Sequence, residues 1–514
     1  MKRLFLAAVL LAVAGSTVAC IFISRRVQIQ SVDPKNDIVV NTSVKAHLKD
    51  GATVTYPNGV TISGGILRGE GFFNDLTLTQ SKPVREIPLD SVIGMESFRT
   101  RVNGVQSVLV SSLVTVGATI GGALLAVAIF GSCPTVYSAD GTVEEAELFS
   151  SSIVSLFEAR DIDRLRAQPD ANGTLRLEIR NEAMETHYIN HLQAFEVLHA
   201  SDEFILPDAH GSIVAVRDVR TPVAIADRRG EDVRASIDAA DETFYATDRR
   251  TVASATSADM DDWLDFTTPV VPGVGRTTLV FRLRNSLLST TLLYDVMLGP
   301  AGARALDWLN RDLTKISTAV ELGRWHQRRA GLHISVWRDG QFREVARIPD
   351  SGPISWHDVA ASIPVLPGET SLRIRLSFLA DHWRIDRLGV AAASRLPAPR
   401  SIQITEVNGA DGRAETEARL NMSAPDGQYL QTTPGQRFFV NFNVGPAPAN
   451  QSRTFLLSSQ GYYTEWIRGK WIQTASASEP FAPSDESLLT ALHKWSTDRD
   501  AFEKRFREAR VPVN

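Results

Sequence analysis

The uncharged run Val108–Phe130, VLVSSLVTVGATIGGALLAVAIF, constrains this 514-residue chain more than any other stretch. At about 1.5 Å rise per residue, a helix of that length reaches across the roughly 30 Å hydrocarbon core of a bilayer. Residues 106-131 are therefore expected to form an apolar, membrane-type helix. Gly117 and Gly121 stand four apart in it, the spacing at which small residues let helix backbones approach closely. Three readings stay open from the residues alone: a true span, a helical hairpin or membrane-lying segment, and a buried core helix. A single span after an exported N-terminus would return residues 134-514 to the cytoplasm. It would also leave Arg99 and Arg101 on the wrong side for the positive-inside rule.

The N-terminus supplies a second apolar segment. Met1-Lys2-Arg3 precedes LFLAAVLLAVAGSTVAC, a basic start followed by an apolar stretch and small residues, so residues 1-19 read as a signal peptide. Thr17-Val18-Ala19-Cys20 resembles the lipobox of bacterial lipoproteins. The resemblance implies cleavage before Cys20 and acylation of that residue with palmitate-type chains, giving membrane lipid as the first partner. Ile21 takes the place of the aspartate that marks inner-membrane retention, which implies the outer membrane, facing the periplasm. The apolar character continues through Ile21-Phe22-Ile23 to Arg25-Arg26, so an uncleaved signal anchor of about 20 residues is the other reading. Either keeps the chain at a membrane.

Cys20 and Cys133 are the two cysteines, too few for an intramolecular disulfide framework in a lipidated form. With 43% hydrophobic and 22% charged residues and a net charge of -5, the chain reads as folded and not as a nucleic-acid binder. Its length accommodates three or four domains.

The periodicity is mainly that of β structure. Val44, Ala46 and Leu48 alternate with polar residues, and Asp50-Gly51 and Pro57-Asn58-Gly59 supply turns, so residues 27-105 are expected to form a small β-barrel. The run from Lys49-Asp50-Gly51 to Ile87-Pro88-Leu89 resembles small SH3-like or Sm-like barrels of bacterial envelope proteins. Beyond the apolar helix, residues 133-270 read as a β-rich domain and 271-395 as a jelly-roll-like β-sandwich. Within the latter, Leu306, Leu309, Leu313, Ile316 and Val320 predict an inserted helix over 303-322 that stops at Gly323. Residues 396-514 read as a β domain with a C-terminal helix over 485-509, capped by Ser484 and docked on that domain. The fold class is thus mainly β and multidomain. The run Gly131-Ser132-Cys133-Pro134, with Asn181-Glu182-Ala183 and Glu185, resembles a group of large bacterial envelope proteins that carries no assigned activity.

Candidate chemistry is sparse. His187 and His191 stand four apart with Glu182, Glu185 and His199 near, a metal-ligating spacing on a helix. On a strand, residues four apart lie about 13 Å from each other, so they are weak candidates and no metal or other cofactor is expected. Trp325-His326, Trp356-His357 and His382-Trp383 place aromatics where sugar stacking or core packing could use them. Cys133 has no neighbouring base to activate it. No nucleophile elbow, paired carboxylates or phosphate-cradling glycine loop occurs in its required context, so no catalytic residue is assigned. The expectation is a membrane-anchored envelope lipoprotein that binds or scaffolds an envelope protein or glycan without catalysing a reaction. The alternative is a metal-dependent hydrolase using the His187/His191 region.

Overall fold

The computed structural model describes residues 37–74, 81–97, 134–149, 152–270, 275–313, 315–446, 451–468, 484–508 and 510–513. The expected signal peptide, Cys20, Cys133 and the segment Val108–Phe130 with Gly117 and Gly121 lie outside the described residues. Among the described residues, no helix is long and apolar enough to cross a membrane.

Among the described residues strands dominate, arranged in one eight-stranded and four five-stranded sheets. The eight-stranded sheet is the N-terminal half-barrel. Its strand Val44–Leu48 turns Val44 and Ala46 into the core, both fully buried, as the alternation requires. The long strand Ile66–Asn74 bends, pairing first with Val60–Ser63 and then with Thr53–Tyr56. Glycine permits the bend, because a Cβ on Gly71 would stand 2.7 Å from the buried Tyr56 ring. The sheet is completed from the far end of the chain, where Ile467–Arg468 pairs with Val92–Ser97.

Two sheets form the first sandwich. Thr174–Arg180 lies between Arg437–Asn443 and Thr135–Ser138, and Leu175, Leu177 and Ile179 sit directly opposite Phe442, Val440 and Phe438. All six are buried in the core that also takes Ile189, Leu192, Phe455 and Leu457 from the facing sheet. That facing sheet is built on the pairing of Glu185–His199 with Ser452–Glu465. The first of these strands begins at Glu185.

The second sandwich is an insertion. The chain leaves the first at His199, builds sheets from Glu203–Pro207 through Trp383–Ser394, and returns through the coil at Leu396-Pro397 into Arg400–Ile402, which pairs back onto Glu185–His199. One sheet centres on Arg276–Asn285 and Trp383–Ser394, the other on Asp261–Pro269 and Ser371–Leu379. Their facing side chains, among them Phe281, Leu283, Ile374, Leu376 and Ile385, form a core of their own. Asp339-Gly340, both with positive φ, makes a tight hairpin between Leu332–Arg338 and Gln341–Ile348. The expected boundaries at 270 and 396 therefore do not divide folding units. Asp261–Pro269 pairs with Ser371–Leu379, and Thr174–Arg180 pairs with Arg437–Asn443, so each cut would part hydrogen-bonded neighbours.

The inserted helix expected over 303-322 is also corrected. From Leu288 the chain winds through short α, 3₁₀ and wide π-type turns to Asp312, and a regular helix then runs Ile316–Arg329. It passes through Gly323, because Leu322 and Trp325, both buried, carry the apolar stripe past it; Gly331, with φ 84, follows the end. This helical segment meets the half-barrel, where Ser97 Oγ donates to the Leu306 carbonyl at 3.0 Å.

The C-terminal helix Asp485–Glu508 begins as expected, with Ser487 N donating to Ser484 Oγ at 3.1 Å. Its docking site differs from the expected one. Leu488, Leu492, Trp495 and Phe502 pack with Val252, Leu288, Leu292 and Leu379 of the inserted unit. Trp495 Nε1 donates to Asp381 at 2.7 Å, and Arg329 forks onto Asp485. The apolar stripe of the helix matches the helical turns at 249–253 and 288–298, which the β domain at 396–468 cannot offer.

Trp495→Ala should cost about 3–5 kcal/mol of stability, the range for truncating a buried aromatic. Hydrogen exchange should then quicken in Arg249–Ala253 and Leu288–Leu298, with Arg437–Asn443 little changed.

Candidate functional site

The histidine pair comes first. Glu185–His199 carries a β-bulge between Ile189 and His191, where Asn190 has no partner across the ladder. Burial accordingly switches from odd-numbered to even-numbered positions, so His187 points to the core face and His191 to the other. His187 is fully buried, with Nε2 3.3 Å from Glu185 Oε2, and burial holds its imidazole down at about 3. It stays neutral at any physiological pH. Burial and nearby Arg160 lower His191 as well. The pair is therefore not brought together, and among the described residues no group of three or more His, Cys, Asp and Glu is placed to hold a metal ion.

The tryptophan-histidine dipeptides separate by role. Trp325 and Trp383 are core residues. His382 Nε2 contacts Asp350 Oδ1 at 2.9 Å inside the second sandwich. Trp337 is 42% exposed, yet Arg373 lies 5.1 Å from its ring centroid, so one stacking face is taken.

His357 belongs to a buried charged joint between the sandwiches. Val143–Glu147 and Ala159–Leu165 of the first bring Glu145, Glu147, Asp163 and Arg164; the second brings Arg282, His357, Asp358 and Asp386. Arg282 pairs with Glu145 and donates from Nε to Asp386 Oδ2 at 2.8 Å. Arg164 Nη1 donates to Asp358 at 2.9 Å. Glu147 Oε2 accepts from the backbone of Ile354 and Ser355, and Gly352 leaves room for that carboxylate: a Cβ there would fall 2.6 Å from it. His357 Nδ1 donates to Asp163 at 2.8 Å while its Nε2 faces Glu147 at 3.9 Å. Burial pushes the imidazole down, but the two carboxylates outweigh it and hold the group up at about 10. Burial, then Asp163, pushes Asp161 up to about 7. An apolar seam of Ile162, Val197, Ile205, Ala215 and Leu456 continues the joint.

A concave feature of the described surface lies elsewhere. A cleft of about 410 Å³ opens between the second sandwich and the C-terminal helix. Arg284 and Arg384 enter it from adjacent central strands, where they sit directly opposite each other; Arg507 and Arg510 come from the end of the helix, with Glu503 beside them. Phe244, Leu287, Ile354 and Phe506 supply apolar walls. Two of the arginines have carboxylate partners. Arg384 pairs with buried Asp381 at 2.7 Å, and Arg510 with Glu182 at 2.9 Å. Among the described residues, no carboxylate pairs with Arg284 or Arg507. Arg284 Nη1 donates to the Pro353 carbonyl at 2.6 Å, its guanidinium lies 4.8 Å from the Trp356 ring, and its buried Nε has no hydrogen-bond partner. Burial and the facing Arg384 both depress its basicity.

Sequence reasoning did not find this cleft. Arg284 carries the polar phase of a strand, which normally faces water, and the helix residues that line the cleft with it lie over 200 positions away.

No known protein family and no curated protein matches the chain. Two solved structures show a distant likeness. One is the GH31 alpha-xylosidase from Xanthomonas citri, at 11% identity and TM-score 0.15 over 82% of this chain. The chain spans about 38% of that enzyme's length. Another is a chain of infectious bursal disease virus Gt strain, at 9% identity and TM-score 0.10, covering 68% of this chain and 93% of the viral one. At such TM-scores neither bears on fold or activity.

The joint should respond to pH with a definite sign. His357 is raised above its unfolded value of 6.5, so its contribution is complete below that pH and is lost as pH rises through about 10. Asp161 works in the same direction at lower pH, its contribution being lost between its unfolded value of 3.8 and about 7. Denaturant midpoints should therefore fall as pH rises from 6.5 to about 10. His357→Gln should be less stable at neutral pH and should lose less over that interval.

Proposed function

We propose that the protein is a membrane-anchored lipoprotein of the bacterial cell envelope, acylated at Cys20, that acts as a non-enzymatic binding or scaffolding protein. The outer membrane, with the folded part facing the periplasm, is the location this reading favours. One observation carries it. The half-barrel, the first sandwich, the inserted helical segment and the C-terminal helix contribute to a single continuous core, and the second sandwich is tied to it by buried ion pairs. Such an assembly holds the outer faces of several sheets at set mutual positions, which a binding scaffold uses and a mobile linker cannot provide.

The histidines support the same reading. His47, stacked 3.5 Å over Trp466 and 2.9 Å from Glu96, joins the half-barrel to the strand that completes it. His199 bridges Thr454 and the Ala200 carbonyl. With His187 and His357, these are buried links of the architecture. The engaged face of Trp337 favours an envelope protein over a stacked glycan as partner.

Cross-linking in intact envelopes, followed by affinity isolation, tests the proposal. A discrete cross-linked partner is expected, together with a mature N-terminus at acylated Cys20. A chain that still begins at Met1 with LFLAAVLL intact contradicts the lipoprotein part. The absence of any cross-linked product from folded, membrane-bound protein contradicts the scaffold.

A further inference from the structure

We infer that the cleft between the second sandwich and the C-terminal helix is a binding site for a small amphiphilic oxyanion, a phosphate or carboxylate carried on an aromatic or short aliphatic body. The inference deepens the binding role proposed above and rests on it for its biological use. The charge pattern is the first argument. Four arginines and one glutamate line the cleft, and internal partners answer only Arg384 and Arg510. Arg284 and Arg507 remain for an incoming anion.

Arg284 is the second argument. A guanidinium has five N–H donors in a planar fork suited to carboxylate and phosphate. In this protein one donor is used on the Pro353 carbonyl, and Nε is buried with no partner. A cation held beside a second arginine and against Trp356, with no carboxylate paired to it among the described residues, is costly for the fold unless an anion offsets it. Packing reasons alone would put an apolar side chain at this position.

The walls define the rest of the ligand. Phe244, from the loop after the 3₁₀ turn Arg234–Ser236, and Phe506, from the helix, line the cleft together with Leu287 and Ile354. A volume of about 410 Å³ suits a molecule with a ring or a short chain, larger than a bare inorganic ion. Asn285 and Ser286 also line the cleft, but their side chains are engaged with backbone at Ser351, Gly352 and Leu288. Recognition therefore falls to the arginines and the apolar walls. Arg507 is exposed on the helix, so the helix position sets the width of the site.

Isothermal titration of the folded protein with phenyl phosphate, hexyl phosphate, inorganic phosphate and benzyl alcohol reads the site directly. The two organic phosphates should bind, at least about tenfold more tightly than inorganic phosphate, and benzyl alcohol should not bind. Affinity should fall with added salt. Arg507→Gln, at an exposed position, should keep the wild-type thermal midpoint and weaken binding several-fold; Arg284→Gln should abolish it. Vesicles of phosphatidylglycerol form a second arm. Binding to vesicles that phenyl phosphate competes away marks a lipid headgroup as the source of the anion, and binding to the soluble phosphates alone marks a soluble metabolite. No heat with any phosphate up to about 10 mM, or binding that both arginine variants leave unchanged, overturns the assignment. These readouts use soluble protein and small molecules. A negative cross-linking result in envelopes would thus leave the cleft standing, and the reverse also holds.

Discussion

The antiparallel pairing of Glu185–His199 with Ser452–Glu465 is the constraint on which the architecture depends. It runs in register from one end of the two strands to the other, interrupted by a single bulge, and it joins segments more than 250 residues apart. Closing so long a loop costs chain entropy that grows slowly with length, so a large insertion between the strands is tolerated once the pairing is formed. The whole second sandwich occupies that insertion. Beyond Glu465 the same chain continues as Ile467–Arg468 into the half-barrel sheet. One pair of strands thus fixes three bodies.

The bodies are joined by two kinds of contact with different demands. Apolar seams, such as the one through Ile162 and Ile205, are tolerant of small shifts. The charged joint is not. Arg282, buried between Glu145 and Asp386, and His357, between Asp163 and Glu147, each need their partners in place. Removing one member of such a buried pair costs about 3–5 kcal/mol, whereas removing both together can be nearly neutral. The joint therefore specifies one arrangement of the sandwiches more than it adds stability. Its sensitivity to alkaline pH follows from the same imidazolium. The cleft departs from this economy, because Arg284 is half-buried and no carboxylate among the described residues pairs with it.

Much of the local structure is legible in the sequence, since it depends on short-range pattern. The alternation in Leu175 to Ile179, the Asp339-Gly340 hairpin and the Ser484-capped helix at Asp485–Glu508 stand where the residues place them. The longer-range features are not. Nothing local in Thr174–Arg180 indicates that its neighbour is Arg437–Asn443, so the boundaries at 270 and 396 looked like domain edges. The bulge at Asn190 reverses the faces of a strand without any glycine or proline to mark it, and it parts His187 from His191. The turns from Leu288 to Asp312 satisfy an apolar stripe with mixed helical pitch, which the stripe alone does not distinguish from a regular helix. Arg284 and Arg384 read as solvent-facing strand residues, and only the fold turns that face inward.

The central claim is that the two sandwiches and the C-terminal helix form one interlocked cooperative unit. Differential scanning calorimetry of the folded protein tests it most directly. The account predicts that residues 134–508 melt in one transition, with calorimetric and van't Hoff enthalpies in agreement for that transition. Separate transitions, with the inserted residues 203–394 melting while the strands Glu185–His199 and Ser452–Glu465 remain protected, would contradict it.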